Sequence, residues 1–213
     1  MKATRAIIIP LVILLFTALT AWAQTPTDHI NHFEKDGLSF DYPAGWEVKD
    51  MSTAQYQFIQ IQRMSNNNPV DGYAEFRVRV PREWLKTPQK EAEAKRIFQD
   101  RYLEQFTTQL QQGGLQPTRS SATTEIGGAA AEGARVRAVL DGAPGGMDAY
   151  YRVISDRFVQ LSEIGGERDM TRSAAAWDMI RNSIRIEPPP QAKPSPQTTP
   201  KPSPSPSPTS AKP

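Results

Sequence analysis

The chain has 213 residues, with 25 basic and 23 acidic side chains, 19 prolines, two histidines and no cysteine. The missing cysteine excludes disulfide stapling, thiol catalysis and Cys-ligated zinc or iron–sulfur centres, so an ordinary hydrophobic core must supply stability. Five basic residues (Lys2, Arg5, Lys193, Lys201 and Lys212) sit in the two ends, leaving 20 against 23 acidic residues between Gln24 and Glu187, a net of −3; a nucleic-acid footprint would need clustered Lys and Arg instead.

The first residues set where the protein works. Lys2 and Arg5 precede an uncharged run from Ala6 to Ala21, and Ala21-Trp22-Ala23 has the small-x-small pattern that signal peptidase reads. The run falls short of the ~20 residues that span a bilayer, and Pro10 interrupts it. Residues 1–23 therefore read as a cleaved export signal, with an uncleaved membrane anchor as the alternative. No Cys follows the signal, so the lipoprotein route is closed. Residues 24–36 read as an N-terminal segment ahead of the first element. The expected location is the periplasm, the cell envelope or the exterior, with no stable membrane span once the signal is cut.

A domain is expected over residues 37–187. Leu38 to Tyr42 and Trp46 to Val48 alternate with period two around Pro43-Ala44-Gly45 and read as a hairpin-like strand pair. Gln55 to Met64 reads as a strand with Tyr56, Phe58 and Ile59 or Ile61 apolar. Asn66 to Gly72 is a turn cluster. Ala74, Phe76, Val78 and Val80 then line one face of a strand whose other face is Glu75, Arg77 and Arg79.

The longest helix follows. Thr87 is its N-cap and Pro88 its first residue, where a missing N–H costs nothing. Ala94, Phe98, Tyr102, Phe106 and Leu110 recur every fourth residue, flanked by Ile97 and Leu103, and Gly113-Gly114 ends the helix. Strands are expected from Ala122 to Ile126 and Ala134 to Leu140, then from Ala149 to Ile154 and Arg157 to Ile164 around Ser155-Asp156. A shorter helix capped by Thr171 turns Ala174, Trp177, Met179 and Ile180 inward, and Ile184 and Ile186 close the domain. Strands, helix, meander and helix in this order indicate an α+β fold with an antiparallel sheet flanked by helices. Residues 188–213 hold eleven prolines among Ser, Thr, Lys and Gln and read as a disordered Pro/Ser-rich tail.

Gly37-Leu38-Ser39-Phe40-Asp41-Tyr42-Pro43-Ala44-Gly45-Trp46, the Gly127-Gly128-Ala129-Ala130 turn and the closing Trp177 to Ile186 segment together resemble the PsbP/Mog1-like superfamily, including DcrB-type exported bacterial proteins. The resemblance covers roughly Phe33 to Glu187. It implies an α/β/α sandwich and a non-enzymatic accessory, assembly or binding role. It carries no ligand residues across, because the matching positions are structural.

Candidate chemistry is sparse. His29 and His32, spaced i, i+3 beside Asp28, have the residue types of a metal site but precede every expected element, so no metal is assigned. Asn66 to Asp71 lacks the acidic spacing of a calcium loop. Gly127-Gly128, Gly145-Gly146 and Gly165-Gly166 match no phosphate-binding loop. Glu91 with Glu93, and Glu47 with Asp50, fall on solvent faces. No catalytic residue and no cofactor is assigned. Arg77 with Arg79, and Arg135 with Arg137, lie at i, i+2 on strands, so each pair shares a face. Should the strands share a sheet, the four form a patch for an anionic ligand. The resulting expectation is an exported binding or assembly module of the bacterial envelope with an unidentified protein or polymer partner. A membrane-tethered accessory domain and an envelope-acting enzyme are the alternatives.

Overall fold

The computed structural model describes residues 29–140 and 142–188. The export signal and almost all of the Pro-rich tail expected from sequence lie outside the described residues, as do Asp28 and Asp141. In chain order the elements are β1 (Ile30–Lys35), β2 (Leu38–Pro43), β3 (Trp46–Asp50), β4 (Tyr56–Ser65), β5 (Asn68–Pro69), β6 (Glu75–Pro81), α1 (Pro88–Ile97), a π turn (Phe98–Leu103) and α2 (Glu104–Gln112). Then come β7 (Thr118–Ile126), β8 (Ala129–Leu140), β9 (Ala143–Ile154), β10 (Arg157–Gly166), α3 (Glu167–Ser183) and β11 (Arg185–Ile186).

Tight turns generate four of the nine strand pairings among the described residues. Asp36-Gly37, Asn66-Asn67, Gly127-Gly128 and Ser155-Asp156 all have positive φ at both central positions. That geometry matches the right-handed twist of the strands it joins, which is why Gly, Asn and Asp fill all of these positions but Ser155. The large sheet runs β3-β4-β6-β10-β9-β8-β7, with β5 as a short partner of β4, and a small sheet runs β1-β2-β11. Every pairing is antiparallel. The fold is α+β, with helices on both faces of the large sheet.

Two cores result. On one face, Phe76, Val78, Ile59, Ile61, Val159 and Leu161 pack against α3 and the small sheet. Trp46 stacks on Phe76 at 4.8 Å between centroids, and Trp177 of α3 tilts against Phe76 at 5.5 Å. On the other face, Phe98 and Leu103 of the helical arm cover Val136, Met147, Ala149, Tyr151 and Phe158. Offset aromatic pairs of this kind add stability beyond the area they bury.

Several elements differ from the sequence-based expectation. The sequence reading begins the first element after residue 36, yet Ile30–Lys35 forms β1 and pairs with β2 from Ile30↔Pro43 to Lys35↔Leu38. β2 and β3 are not a hairpin: β2 pairs with β1 and β11, whereas β3 pairs with β4, so Ala44-Gly45 is a corner between sheets. In β4 the buried set is Gln57, Ile59 and Ile61, while Tyr56 and Phe58 take the opposite face. Gln57 is tolerated there because its amide donates to Lys35 O at 2.9 Å and accepts from Arg157 at 3.1 Å.

α3 is longer than expected. It starts at Glu167 after Gly166, and Thr171 lies inside it, donating its hydroxyl to Glu167 O at 2.8 Å. Its inward residues are Met170, Ser173, Ala176, Trp177 and Ile180, whereas Ala174 is exposed. Two serines dock it: Ser173 Oγ accepts from Ala74 N–H at 2.9 Å and Ser183 Oγ from Asp41 N–H at 2.8 Å. Ser173 is 1% exposed. Ser173→Ala leaves the Ala74 amide buried and unpaired, and chemical denaturation should show a loss of about 1–3 kcal/mol.

The arm keeps the caps read from sequence. Thr87 Oγ1 accepts from Lys90 N–H at 3.4 Å with Pro88 next. At the other end, Leu115 N–H reaches Leu110 O at 3.0 Å and Gly114 N–H reaches Gln111 O at 2.9 Å, a Schellman closure around Gly114 at φ 79°. Between the caps the helix is not uniform. The π turn closes i→i+5, which places Phe98 and Leu103 one turn apart and both against the sheet.

Candidate functional site

Period-two alternation in β6 sends Phe76, Val78 and Val80 into the α3-side core and Arg77 and Arg79 to the arm side. β10 lies alongside, with Ser162 opposite Arg77 and Gln160 opposite Arg79. Over these four residues sits Tyr102, carried by the π turn, its hydroxyl 2.8 Å from Ser162 Oγ. Burial pushes the Tyr102 phenol above its usual range, with the Ser162 bond and the Arg77 and Arg79 charges working against that. A polar track thus crosses the middle of the arm-side face.

Tyr102 lines two clefts beside this track. One, of about 170 Å³, is walled by Leu85, Ala94, Phe98 and Phe158, with Arg79 and Gln160 from the sheet and Glu93 and the Lys90–Glu83 ion pair also lining it. The other, of about 130 Å³, is bounded by Arg77, Phe106, Gln109 and Met147. The two arginines differ in commitment. Arg77 Nε donates to Glu75, whose other oxygen accepts from Gln62 at 2.8 Å. Arg79 lies over the Tyr56 ring at 4.3 Å and has no carboxylate within ion-pair distance among the described residues. A guanidinium stacked in this way keeps its N–H fork available for a planar anion.

Arg135 and Arg137 share the sheet with Arg77 and Arg79 but not the face. Ala134 and Val136 of β8 belong to the arm-side core, so the alternate residues Arg135 and Arg137 turn toward α3. There both meet Asp148 of β9: Arg135 Nε lies 3.3 Å from its Oδ2, and Arg137 Nη2 touches its Oδ1. Arg137 also donates to Met147 O at 3.1 Å. The four arginines therefore do not gather into one patch. β strands fix only which residues within one strand share a face; the phase between distant strands is set by pairing register, which composition does not show.

The most perturbed carboxyl was not anticipated. Glu163 of β10 sits opposite Asp148 and is 5% exposed. Burial first, then the Asp148 and Asp178 charges, push its pKa up to about 8, with Arg137 opposing. Glu163 Oε1 and Asp148 Oδ1 both lack a hydrogen-bond partner among the described residues, the Arg137 contact being ionic without hydrogen-bond alignment. Neither residue lines either cleft.

His32 Nδ1 lies 2.7 Å from Asp41 Oδ1 across the β1–β2 pair, and no metal-binding cluster of three or more His, Cys, Asp or Glu side chains exists among the described residues. Asp50 pairs with Lys35 at 2.5 Å. Among the described residues, no helix is long and apolar enough to cross a membrane.

No family model matches the chain, and no curated protein matches it. A solved cyanobacterial PsbP is similar to it. That protein, from Synechocystis sp. PCC 6803, is 11% identical, covering 80% of this chain and 99% of its own, with a TM-score of 0.48. A protein of unknown function from Pseudomonas aeruginosa is also 11% identical, covering 75% and 99%, with a TM-score of 0.36. At this identity no residue role passes from either protein to this chain.

Proposed function

We propose that this protein is an exported, non-catalytic binding or accessory module of the bacterial cell envelope, and that its arm-side clefts hold the acidic group of a partially apolar ligand or partner. One observation carries the binding reading: among the described residues Arg79 stands unpaired, at the polar side of an apolar cleft. The other charges around the cleft are the Lys90–Glu83 ion pair and Glu93, so Arg79 is its one cation without a carboxylate partner, and a largely apolar cavity with such a cation suits an amphiphilic anion. The export reading rests on Lys2, Arg5, the uncharged Ala6 to Ala21 run and Ala21-Trp22-Ala23.

Calorimetric titration with decanoate, using decanol as the uncharged control, tests the site. Decanoate should bind more tightly than decanol, and Arg79→Ala should erase most of that difference, a weakening of roughly tenfold or more. Equal affinity for the two probes, or an Arg79→Ala variant that binds decanoate normally, rejects the site. Terminal sequencing of the protein from the envelope tests export separately. Gln24 as first residue is expected, whereas an intact Met1 in the membrane fraction means a tethered domain.

A further inference from the structure

β7 ends the large sheet, and its free side has a definite hydrogen-bonding phase. The two-residue turn at Gly127-Gly128 makes Ile126 and Ala129 a mutually bonded pair. Counting back, Thr118, Ser120, Ala122 and Thr124 bond to β8, while Arg119, Ser121, Thr123 and Glu125 turn their N–H and C=O groups outward. Arg181 agrees with this count, since its Nη1 donates to the outward Glu125 O at 3.0 Å and to Thr124 Oγ1 at 3.0 Å. That guanidinium caps one end of the edge. From Thr118 to Ser121 and at Thr123 the strand is exposed, and among the described residues no strand pairs with its outer side. The strand itself carries no Pro or Lys, two of the devices that usually protect an edge, and its Arg119, Ser121 and Thr123 border a cleft of about 250 Å³ beneath Phe98, Gln99 and Leu103 of the arm.

The charges on this strand are arranged for self-recognition. Arg119 and Glu125 are its only charged residues and lie on the same face, Arg119 near the start and Glu125 near the end. We propose that β7 is the interface of a symmetric dimer in which two copies of this chain join their large sheets edge to edge. The strands run antiparallel about a two-fold axis at Ser121, so Ser121 faces Ser121 of the second copy and Arg119 faces its Thr123. This register uses only the outward groups beyond the Arg181 cap, roughly six main-chain hydrogen bonds. It also sets Arg119 diagonal to Glu125 of the second copy, within reach of long side chains, twice by symmetry.

Sedimentation velocity of the purified full chain from about 1 to about 200 µM tests this. A monomer–dimer equilibrium is expected, and Arg119→Glu or Glu125→Arg alone should weaken it by roughly tenfold. The Arg119→Glu, Glu125→Arg double variant should restore it, and Ser121→Pro, which removes one outward N–H, should abolish it while far-UV circular dichroism stays unchanged. A wild-type chain that remains monomeric throughout overturns the proposal. So does a dimer that survives Ser121→Pro, or a double variant no better than the single ones. Should Ser121→Pro fail to fold, the charge-reversal pair decides alone.

Discussion

Glu163→Gln should stabilise the protein, and the gain should depend on pH. In the unfolded chain this carboxyl ionises near 4.5, whereas in the fold it keeps its proton until about 8. Between those values unfolding releases a proton that the folded state retains, so rising pH favours the unfolded chain. The contribution of Glu163 is complete below about pH 4.5 and is lost progressively up to about pH 8. By linkage the loss at pH 7 is on the order of 3 kcal/mol. A glutamine amide is neutral at every pH and close in shape to the protonated acid, so the substitution removes this slope. Urea denaturation at pH 5, 7 and 8.5 should give nearly equal stabilities for the two proteins at pH 5 and a growing advantage for the variant above it. Parallel curves across that range would mean that Glu163 ionises normally in the fold. Asp148→Asn should act in the same direction on Glu163, because it removes the neighbouring charge, but it also strips Arg135 and Arg137 of their shared partner and should lower overall stability.

Phe98→Ala should destabilise the fold by about 3–5 kcal/mol, the usual loss for a buried phenylalanine. Phe98 is 1% exposed and meets Tyr151 at 5.0 Å and Phe158 at 6.3 Å between centroids. The effect should also be regional. α1 has no buried residue of its own, and neither has α2, so the arm is held chiefly by Phe98 and Leu103 in the π turn. Hydrogen exchange in the variant should accelerate across residues 88–112 more than in α3 or β10. Uniform acceleration would show that arm and sheet open together. The cleft beside Arg79 shares the Phe98 wall, so decanoate binding should weaken in the same variant.

Legibility in the sequence followed the range of the interaction involved. Caps are local, and Thr87-Pro88 and Gly113-Gly114 were legible because each needs only its own few residues. The β6 alternation of Phe76, Val78 and Val80 against Arg77 and Arg79 was legible for the same reason. β1 was missed although Asp36-Gly37 is a strong hairpin signal. Its residues, Ile30 to Lys35, alternate weakly because the strand is mostly exposed. The π turn left no trace in spacing, since Phe98, Tyr102 and Phe106 fit a plain helix equally well. Tyr102 and Ser162 are 60 positions apart, and Asp148 faces Glu163 only because the Ser155-Asp156 turn sets that register. The position of that turn carried the signal: counting back equally from Ile154 and Arg157 reaches both carboxylates. In β4 the pattern left the phase open, because the aromatic Tyr56 and Phe58 lie on one face and Ile59 and Ile61 on the other.

The small sheet has a mechanical consequence. β1 enters it with Ile30 beside Pro43, and β11 leaves it with Ile186 beside Leu38, so the two ends of the described chain depart from opposite ends of β2. Tension applied between a held leader and a held tail would run along these strands and not across them. Every β1–β2 and β2–β11 hydrogen bond would then bear load together, in shear, and would not break singly in sequence. A domain attached to its surroundings at both termini would meet pulling forces at the region of its fold arranged to resist them.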